Sequence, residues 1–449
     1  MINGFGARRS MRTAKLQRYH YYSWLIWSLG AIFYCYEYFL RISPDVFTGD
    51  LMRTYGLGGA ALGNLVAFYY YAYTPMQLPV GVLMDRYGPR LLLTVAALCC
   101  AIGSFLFAAT HIVWVASMGR FMVGFGSAFA FVGVLKLAAI WLPANRFAMV
   151  VGLATTLGMV GAMIGENALT YLVHTFGWQS TTFGSAVFGI FLGFIIWTIV
   201  RNTKKETEKE LHYHKIDMEV ILRDLGAALK TRQVWLAGIV GGLLYIPTSV
   251  FAELWGIPYL EQARGFSSYQ AAGAVSMIFL GWAIGGPIIG FISDRLRQRR
   301  SPIIIGCLLA ATLIGTLLLI PKMPMNIVFV IFLLFGMASS VENITFAIAR
   351  ESCAVEIAGS AVAINNMLVM FGGMLLQPIV GKMLDANWHG TLQNGHRVFS
   401  NLDYQHALLL MPLGLFMAAA ITFFIRKTVM TRAQEDRSAP VDATAQYLN

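Results

Sequence analysis

The chain has 449 residues, of which 57% are hydrophobic and only 12% charged, with a formal net charge of +11. Soluble domains carry roughly 25% charged residues; here the charges cluster between apolar tracts of about 20 residues, the length at which a helix crosses ~30 Å of hydrocarbon, so a soluble globular protein is excluded. Continuous apolar runs exclude a β-barrel, whose strands are short and alternate, and basic residues confined to the gaps point to membrane orientation rather than to a nucleic-acid partner.

Taken in order, residues 1–20 carry Arg8, Arg9, Arg12, Lys15 and Arg18 without an acid, a basic N-terminus suited to anionic headgroups. It runs into a full-length apolar span with no small-residue cleavage site, so no cleavable signal peptide is expected. Twelve spans follow, near 22–43, 60–82, 91–110, 113–137, 147–171, 179–200, 234–260, 269–292, 302–320, 326–348, 357–381 and 405–426. They form two groups of six, 21–200 and 233–427. A linker at 201–232, rich in Lys, Glu and His and without an apolar stripe, joins them. Residues 428–449 are polar and are expected to be a disordered tail. With the N-terminus inside, 25 of the 33 Lys and Arg fall on the cytoplasmic side and six outside, leaving Arg120 and Lys136 in the membrane. Both termini are therefore expected in the cytoplasm. Cys35, Cys99, Cys100 and Cys307 lie inside apolar runs and Cys353 beside one; none has disulfide or metal-ligand spacing.

Charges inside spans mark function, because an ionised group at the bilayer centre costs at least ~2.5–3.5 kcal/mol. Glu37 and Arg41 stand i,i+4 on the first span, acid first, and so share one face in the better orientation. Arg41 can meet a substrate carboxylate bidentately and Glu37 can take a proton; a structural pair near the outer headgroups is the other reading. Arg120 lies about a third of the way into the fourth span. Glu166 on the fifth sits near Arg120's depth, so an ion pair between them is expected, as gate, relay or support. Lys136, nearer the cytoplasmic end, can snorkel. In the second half, Glu253 on the seventh span and Glu342 with Asn343 on the tenth lack an obvious basic partner and are candidates for proton coupling. Asn365, Asn366 and Gln377-Pro378 on the eleventh add hydrogen-bonding groups, with interhelical support as the ordinary role. Tyr69, Tyr70, Tyr71 and Tyr73 on the second span cannot all face one way. Gly241-Gly242, Pro247 and Gly256-Ile-Pro258 predict a bent seventh span. No nucleotide-binding loop, metal cluster or hydrolytic triad is present in the sequence, so no cofactor, no enzymatic activity and no ATP-driven transport are expected.

A charged turn, Gly81-Val-Leu-Met-Asp85-Arg86-Tyr-Gly88-Pro-Arg90, closes the second span. It returns at Gly290-Phe-Ile-Ser-Asp294-Arg295, 209 positions on, where it closes the eighth. Two copies of one membrane unit explain this spacing. The turn resembles the signature between helices 2 and 3 of the major facilitator superfamily. Arg120-Phe-Met-Val-Gly124-Phe-Gly126 and Trp141-Leu-Pro143 with Arg146 match its patterns in and after helix 4, and the resemblance covers about residues 20–427. It implies an all-α membrane protein with twelve transmembrane helices in two pseudo-symmetric six-helix bundles, working by alternating access. It also implies that Asp85, with Gly81, Arg86, Gly88 and Arg90, engages the start of helix 11 near Ile357 and latches the outward-open state, with Asp294 and Arg295 in a weaker mirror role, and that Arg120 faces the cavity.

Glu37-Tyr-Phe-Leu-Arg41-Ile-Ser-Pro44 looks like the organic-anion symporter and bacterial amino-acid or peptide uptake branches. Gly158-Met-Val-Gly161 replaces the Gly-Pro pair of drug/proton antiporters. The expected function is proton-coupled uptake of a small anionic or zwitterionic organic solute, such as an amino acid, short peptide or organic acid, by a functional monomer in a bacterial inner membrane. Proton-antiport efflux of an amphipathic compound or siderophore is one alternative. A non-transporting solute sensor is the other, though the linker and tail leave no evident signalling domain.

Overall fold

Without water in the hydrocarbon layer, each backbone N–H and C=O must be paired within its own segment, so the apolar tracts wind into helices. The computed structural model describes residues 3–143, 147–202, 218–320, 322–354, 357–393 and 395–426. Spans 1 to 6 are Asn3–Val46, Gly59–Met76 continued by Val80–Tyr87, Pro89–Ala109, Val113–Trp141, Phe147–Phe176 and Trp178–Ile199. Span 7 is Arg232–Ile246, Pro247–Trp255 and Gly256–Arg264; span 8 is Ser268–Leu296 and span 9 Arg300–Leu319. Span 10 is Met325–Ser339, Ser340–Glu342 and Asn343–Glu351; span 11 is Ala358–Asn387; span 12 is Asn401–Leu408 with Leu410–Thr422. Ten of these, all but spans 1 and 2, are long and apolar enough among the described residues to cross a membrane by that measure alone.

Local chemistry sets the boundaries. Pro89 starts span 3 at a position whose N–H would be unpaired in any case. Ser267 with Gln270, and Ser400 with Asp403, close reciprocal N-terminal capping boxes on spans 8 and 12. Span 1 begins at Asn3, well before the expected residue 22, because helix continues through the basic segment. The linker was expected to lack an apolar stripe, yet Met218–Leu229 is a helix whose Leu225 and Ala228 pack with Ala361 and Ile364 of span 11. Residues 203–217 of the linker and the tail from 427 lie outside the described residues.

Leu91, Val95, Leu98, Ile102 and Phe105 form an exposed stripe at helical spacing on span 3, and Phe191, Phe194 and Trp197 do the same on span 6. Leu308 and Leu309 on span 9, with Leu413, Phe416 and Met417 on span 12, face outward likewise. These outer spans leave the other eight to enclose the centre. The halves meet where span 2 packs along span 11 and span 5 along span 8. Small residues bring the first pair together: a Cβ on Gly59 would stand 2.7 Å from the Gly381 carbonyl. Asn167 donates from span 5 to Ser276 Oγ on span 8 at 2.8 Å.

Candidate functional site

A central cavity of about 1050 Å³ lies between the halves. Its mouth carries Gly81, Asp85, Asp224 and Gly359, and its floor carries Arg41 and Tyr245. Arg41 is 2% exposed and Tyr245 3%, so the cavity opens at the Asp85 end and closes beneath Arg41. The walls are aromatic and weakly polar: Tyr34, Tyr38, Phe131 and Trp282 share them with Thr155, Thr156 and Asn366.

The floor is one hydrogen-bonded network that joins the halves. Arg41 pairs with Glu37 one turn back, its Nε 2.8 Å from Glu37 Oε1. Tyr69 donates to the same oxygen at 2.6 Å. Arg41 Nη1 donates across to Tyr245 Oη on span 7 at 3.2 Å. Tyr245 donates to Glu253 Oε1, also at 3.2 Å, and Tyr70 donates to Glu253 Oε2 from span 2. The rings of Tyr38 and Tyr73 lie 4.6 and 4.9 Å from the guanidinium, and such faces favour a cation. Glu37 and Arg41 thus meet as their spacing requires, and the tyrosines divide: Tyr73 lines the cavity, Tyr69 and Tyr70 join the network, and Tyr71 bonds Asn64.

The two embedded candidate carboxylates of the second half, Glu253 and Glu342, sit where a helix departs from α geometry. Glu253 lies in the π-helical turn Pro247–Trp255, where Gly256 N–H bonds Phe251 O, five residues back. Glu342 ends the 3₁₀ turn Ser340–Glu342 and lines the cavity beside Asn343, its buried Oε1 without a hydrogen-bond partner. Such irregular turns recur at functional sites. Asn366 reaches across the halves to Gln77 Oε1 at 2.7 Å, and both line the cavity. Asn365 turns away and donates to Thr345 on span 10 at 3.2 Å.

Arg120 lies outside the cavity lining. Pro44 in span 1 has no N–H to offer the Leu40 carbonyl four residues back, and Arg120 Nη1 supplies that donor at 2.9 Å. Glu166 does not pair with Arg120: both its oxygens are buried without a hydrogen-bond partner, and the guanidinium is turned to span 1. Lys136 is outside the cavity lining among the described residues. Its Nζ stands 2.5 Å from Asp85 Oδ1.

The charged turns hold intra-half contacts in this state. Asp85 takes Lys136 of span 4, while the start of span 11 lies across the cavity mouth at Gly359 and Ser360. Arg90 packs on the Trp197 ring at 4.2 Å and donates to its carbonyl, and Arg86 lies over Tyr87. In the second copy, Arg299 bridges Asp294 at 2.6 Å and Glu351 of span 10 at 2.8 Å. The second copy thus differs from the first: the turn aspartate pairs with an arginine of its own turn, and that arginine, not the aspartate, reaches a glutamate on span 10. Arg295 points to the exterior. The position matching Gly88 is Arg297, which takes a left-handed φ of 52°.

The opposite end is shut. Asp385, at the end of span 11, accepts from Gly59 N and Ala60 N at the start of span 2, each at 2.8 Å, and is held by Arg397 Nη1 at 2.8 Å. A carboxylate on the first N–H groups of a helix satisfies orphan donors and meets the positive dipole end. Asp45 likewise accepts from Ile257 N at 3.2 Å near the start of Gly256–Arg264. Sequence reasoning missed Asp385, Asp45, Arg397 and Gln77. A signal for Asp385 was available: Pro378-Ile-Val-Gly381-Lys-Met-Leu-Asp385 repeats the Gly-three-Asp spacing of Gly81 to Asp85.

A sequence model of the Major Facilitator Superfamily matches residues 27–377. The chain is similar to the uncharacterized transporter YybO of Bacillus subtilis (strain 168), 25% identical over 412 residues that cover 85% of this chain and 92% of the relative. It is 29% identical over 300 residues to the probable galactarate/D-glucarate transporter GudP of the same organism, covering 60% of this chain and 66% of the relative. Its fold matches the crystal structure of a bacterial homolog of the human lysosomal transporter Spinster, in an inward-facing and unoccupied conformation. That match has a TM-score of 0.73 at 16% identity, covering 90% of this chain and 97% of the other. Two six-helix halves around a central cavity, with a sequence match over most of the length, place this chain in the Major Facilitator Superfamily: it is a membrane transporter and not an enzyme.

Proposed function

We propose that the protein is a secondary active transporter that takes up a small organic carboxylate, anionic or zwitterionic, together with a proton. The observation that carries this reading is Arg41, a buried guanidinium at the floor of the central cavity whose charge is balanced directly, among the described residues, by one ion-pair partner, Glu37, with Glu253 joined to it only through Tyr245. Protonation of Glu37 removes that balance, and a buried unpaired charge costs several kcal/mol. A substrate carboxylate arriving at Arg41 restores the balance, so proton and carboxylate load together. Arg41–Tyr245 and Tyr70–Glu253 are also contacts between the halves. Loading that changes them shifts the balance between access states, through the differential contacts any such shift requires. The name of the relative GudP, a probable transporter of two sugar acids, supports a carboxylate cargo.

The excess of Lys and Arg at the Asp85 end supports a cytoplasmic location for that end and for both termini, in the inner membrane of a bacterium; the cavity is then open inward. The protein acts as a monomer, each chain holding a complete cavity. The test is uptake of radiolabelled amino acids, short peptides and organic acids into proteoliposomes with an imposed pH gradient. Accumulation that follows the gradient is expected. Uptake indifferent to the gradient overturns the proton coupling, and no uptake of any carboxylate overturns the cargo class.

A further inference from the structure

The cavity lining has two poles. Among the described residues Arg41 is the only cation that lines it. Three carboxylates line it as well, and two are already occupied: Asp85 by Lys136 and Asp224 by Arg223. The third, Glu342, is 3% exposed, and its Oε1 is buried with no hydrogen-bond partner. It stands on a 3₁₀ turn that interrupts span 10, on the wall contributed by the second half, whereas Arg41 belongs to the first. Its neighbours on that wall are Asn343, Gly286, Trp282 and Phe346, none of them cationic. A buried carboxylate with an unpartnered oxygen, on a residue that lines a cavity carrying one guanidinium, is half of a recognition site for a positive group.

From this we infer that the cargo is a zwitterion, with its carboxylate at Arg41 and its ammonium at Glu342, and that Glu342 is the residue that selects against dicarboxylates. A second carboxylate brought to that wall would meet a like charge and no donor cation, which is how a site rejects a near relative of its ligand. The selection differs from the sugar dicarboxylates in the name of GudP. Such a ligand touches both halves at once, so its binding draws them together around it. The aromatic surface of Phe131, Trp282 and Phe346 between the poles suits an apolar side chain. The inference rests on the carboxylate cargo proposed above.

The experiment measures binding to the purified full-length transporter by ligand-induced thermal stabilisation at one fixed pH. The probes are matched pairs: alanylphenylalanine with propionylphenylalanine, and phenylalanine with 3-phenylpropionate, each pair differing only in the ammonium group; galactarate is the dianion. At least one zwitterion is expected to bind about tenfold or more tighter than its des-amino partner, as a charged hydrogen bond supplies, with galactarate weaker than either. In Glu342→Gln that preference is expected to vanish while the des-amino compounds bind as before. Glu342→Asp, which retains the charge, is expected to retain the sign of the preference. Equal binding within both pairs, tighter binding of galactarate, or a preference that survives Glu342→Gln overturns the assignment. So does a Glu342→Gln variant that loses only the pH dependence of uptake, since Glu342 would then carry the proton. If monocarboxylates bind without regard to the ammonium, only the zwitterion fails. If no carboxylate binds, the cargo class fails with it.

Discussion

Asp385→Asn should open the end of the molecule that is closed here. In this state the carboxylate gives one oxygen to each of two backbone N–H groups, Gly59 and Ala60, at 2.8 Å. An asparagine has a single acceptor oxygen, so one bond is lost and the other becomes neutral. Hydrogen bonds to a charged group contribute about 1.5–3 kcal/mol each and neutral ones about 1, so exchanging two of the first for one of the second removes roughly 2–5 kcal/mol. The pair with Arg397, whose side chain is 36% exposed, adds little, about 0–1 kcal/mol. Once the halves part at this end, Asp385 and the start of span 2 both meet water, so the loss falls on the closed state alone. At 1.4 kcal/mol per tenfold, the ratio of closed to open should fall about 30-fold or more. Spin labels at His111 and Lys322, exposed positions between spans 3 and 4 and between spans 9 and 10, read the separation by pulsed electron–electron resonance in a background with the native cysteines replaced. A long-distance population should appear or grow in Asp385→Asn. A distribution unchanged from the parent would show that the packing of Gly59 on Gly381 holds this end and that the carboxylate contributes nothing to the balance.

Asp85→Asn should slow uptake with the opposite sign: the same labels are expected to remain close, and closure at the Asp85 end to become rarer. Arg120→Met takes from the buried Leu40 carbonyl one of its two donors, leaving the Ser43 hydroxyl at 2.9 Å, at a loss of about 1–3 kcal/mol; a lower unfolding temperature is expected with little change in KM, whereas a raised KM at an unchanged unfolding temperature would place Arg120 on the solute. Glu37→Gln fixes the neutral form of that side chain, so carboxylate exchange across vesicles should persist while accumulation driven by a pH gradient is lost; retained accumulation would move the proton site to Glu253 or elsewhere.

The parts of this molecule visible in its sequence are those governed by one helix at a time. Charge-free tracts give the spans because length and hydrophobicity are properties of a single segment, and Glu37 and Arg41 meet because i,i+4 spacing places them on one face. The contacts that went unread depend on how separate helices are rotated and how deeply they are set. Arg120 and Glu166 lie at similar depth, which invited an ion pair, yet the missing N–H of Pro44 makes the Leu40 carbonyl the stronger claimant. Lys136 was expected to snorkel, and its length takes it to the turn at Asp85. The π turn at Glu253 follows from Pro247 and its neighbours, which predicted a bend without its register.

Gly81 and Gly88 share one motif, and the structure separates what each is for. Gly88 has φ 78° and ψ 157°, a region essentially reserved to glycine, and a Cβ there would also stand 2.6 Å from the Asn202 side chain. The matching turn in the second half passes through φ 52° and ψ 30° at Arg297, a conformation an L-residue can adopt, so the second copy could lose its glycine without losing the turn. Gly88→Ala should therefore destabilise the protein by about 1–3 kcal/mol in any state. Gly81 is the contrary case. A Cβ at Gly81 meets nothing within 4 Å, and alanine in the helix Val80–Tyr87 is favoured over glycine by up to about 1 kcal/mol. If Gly81 exists to let span 2 approach span 11 when the Asp85 end closes, as Gly59 and Gly381 do at the other end, Gly81→Ala should raise the unfolding temperature and lower transport together. Transport that survives the substitution intact would mean that the Asp85 end closes without close contact at Gly81, and that the two ends of the span 2–span 11 seam are not shut by the same device.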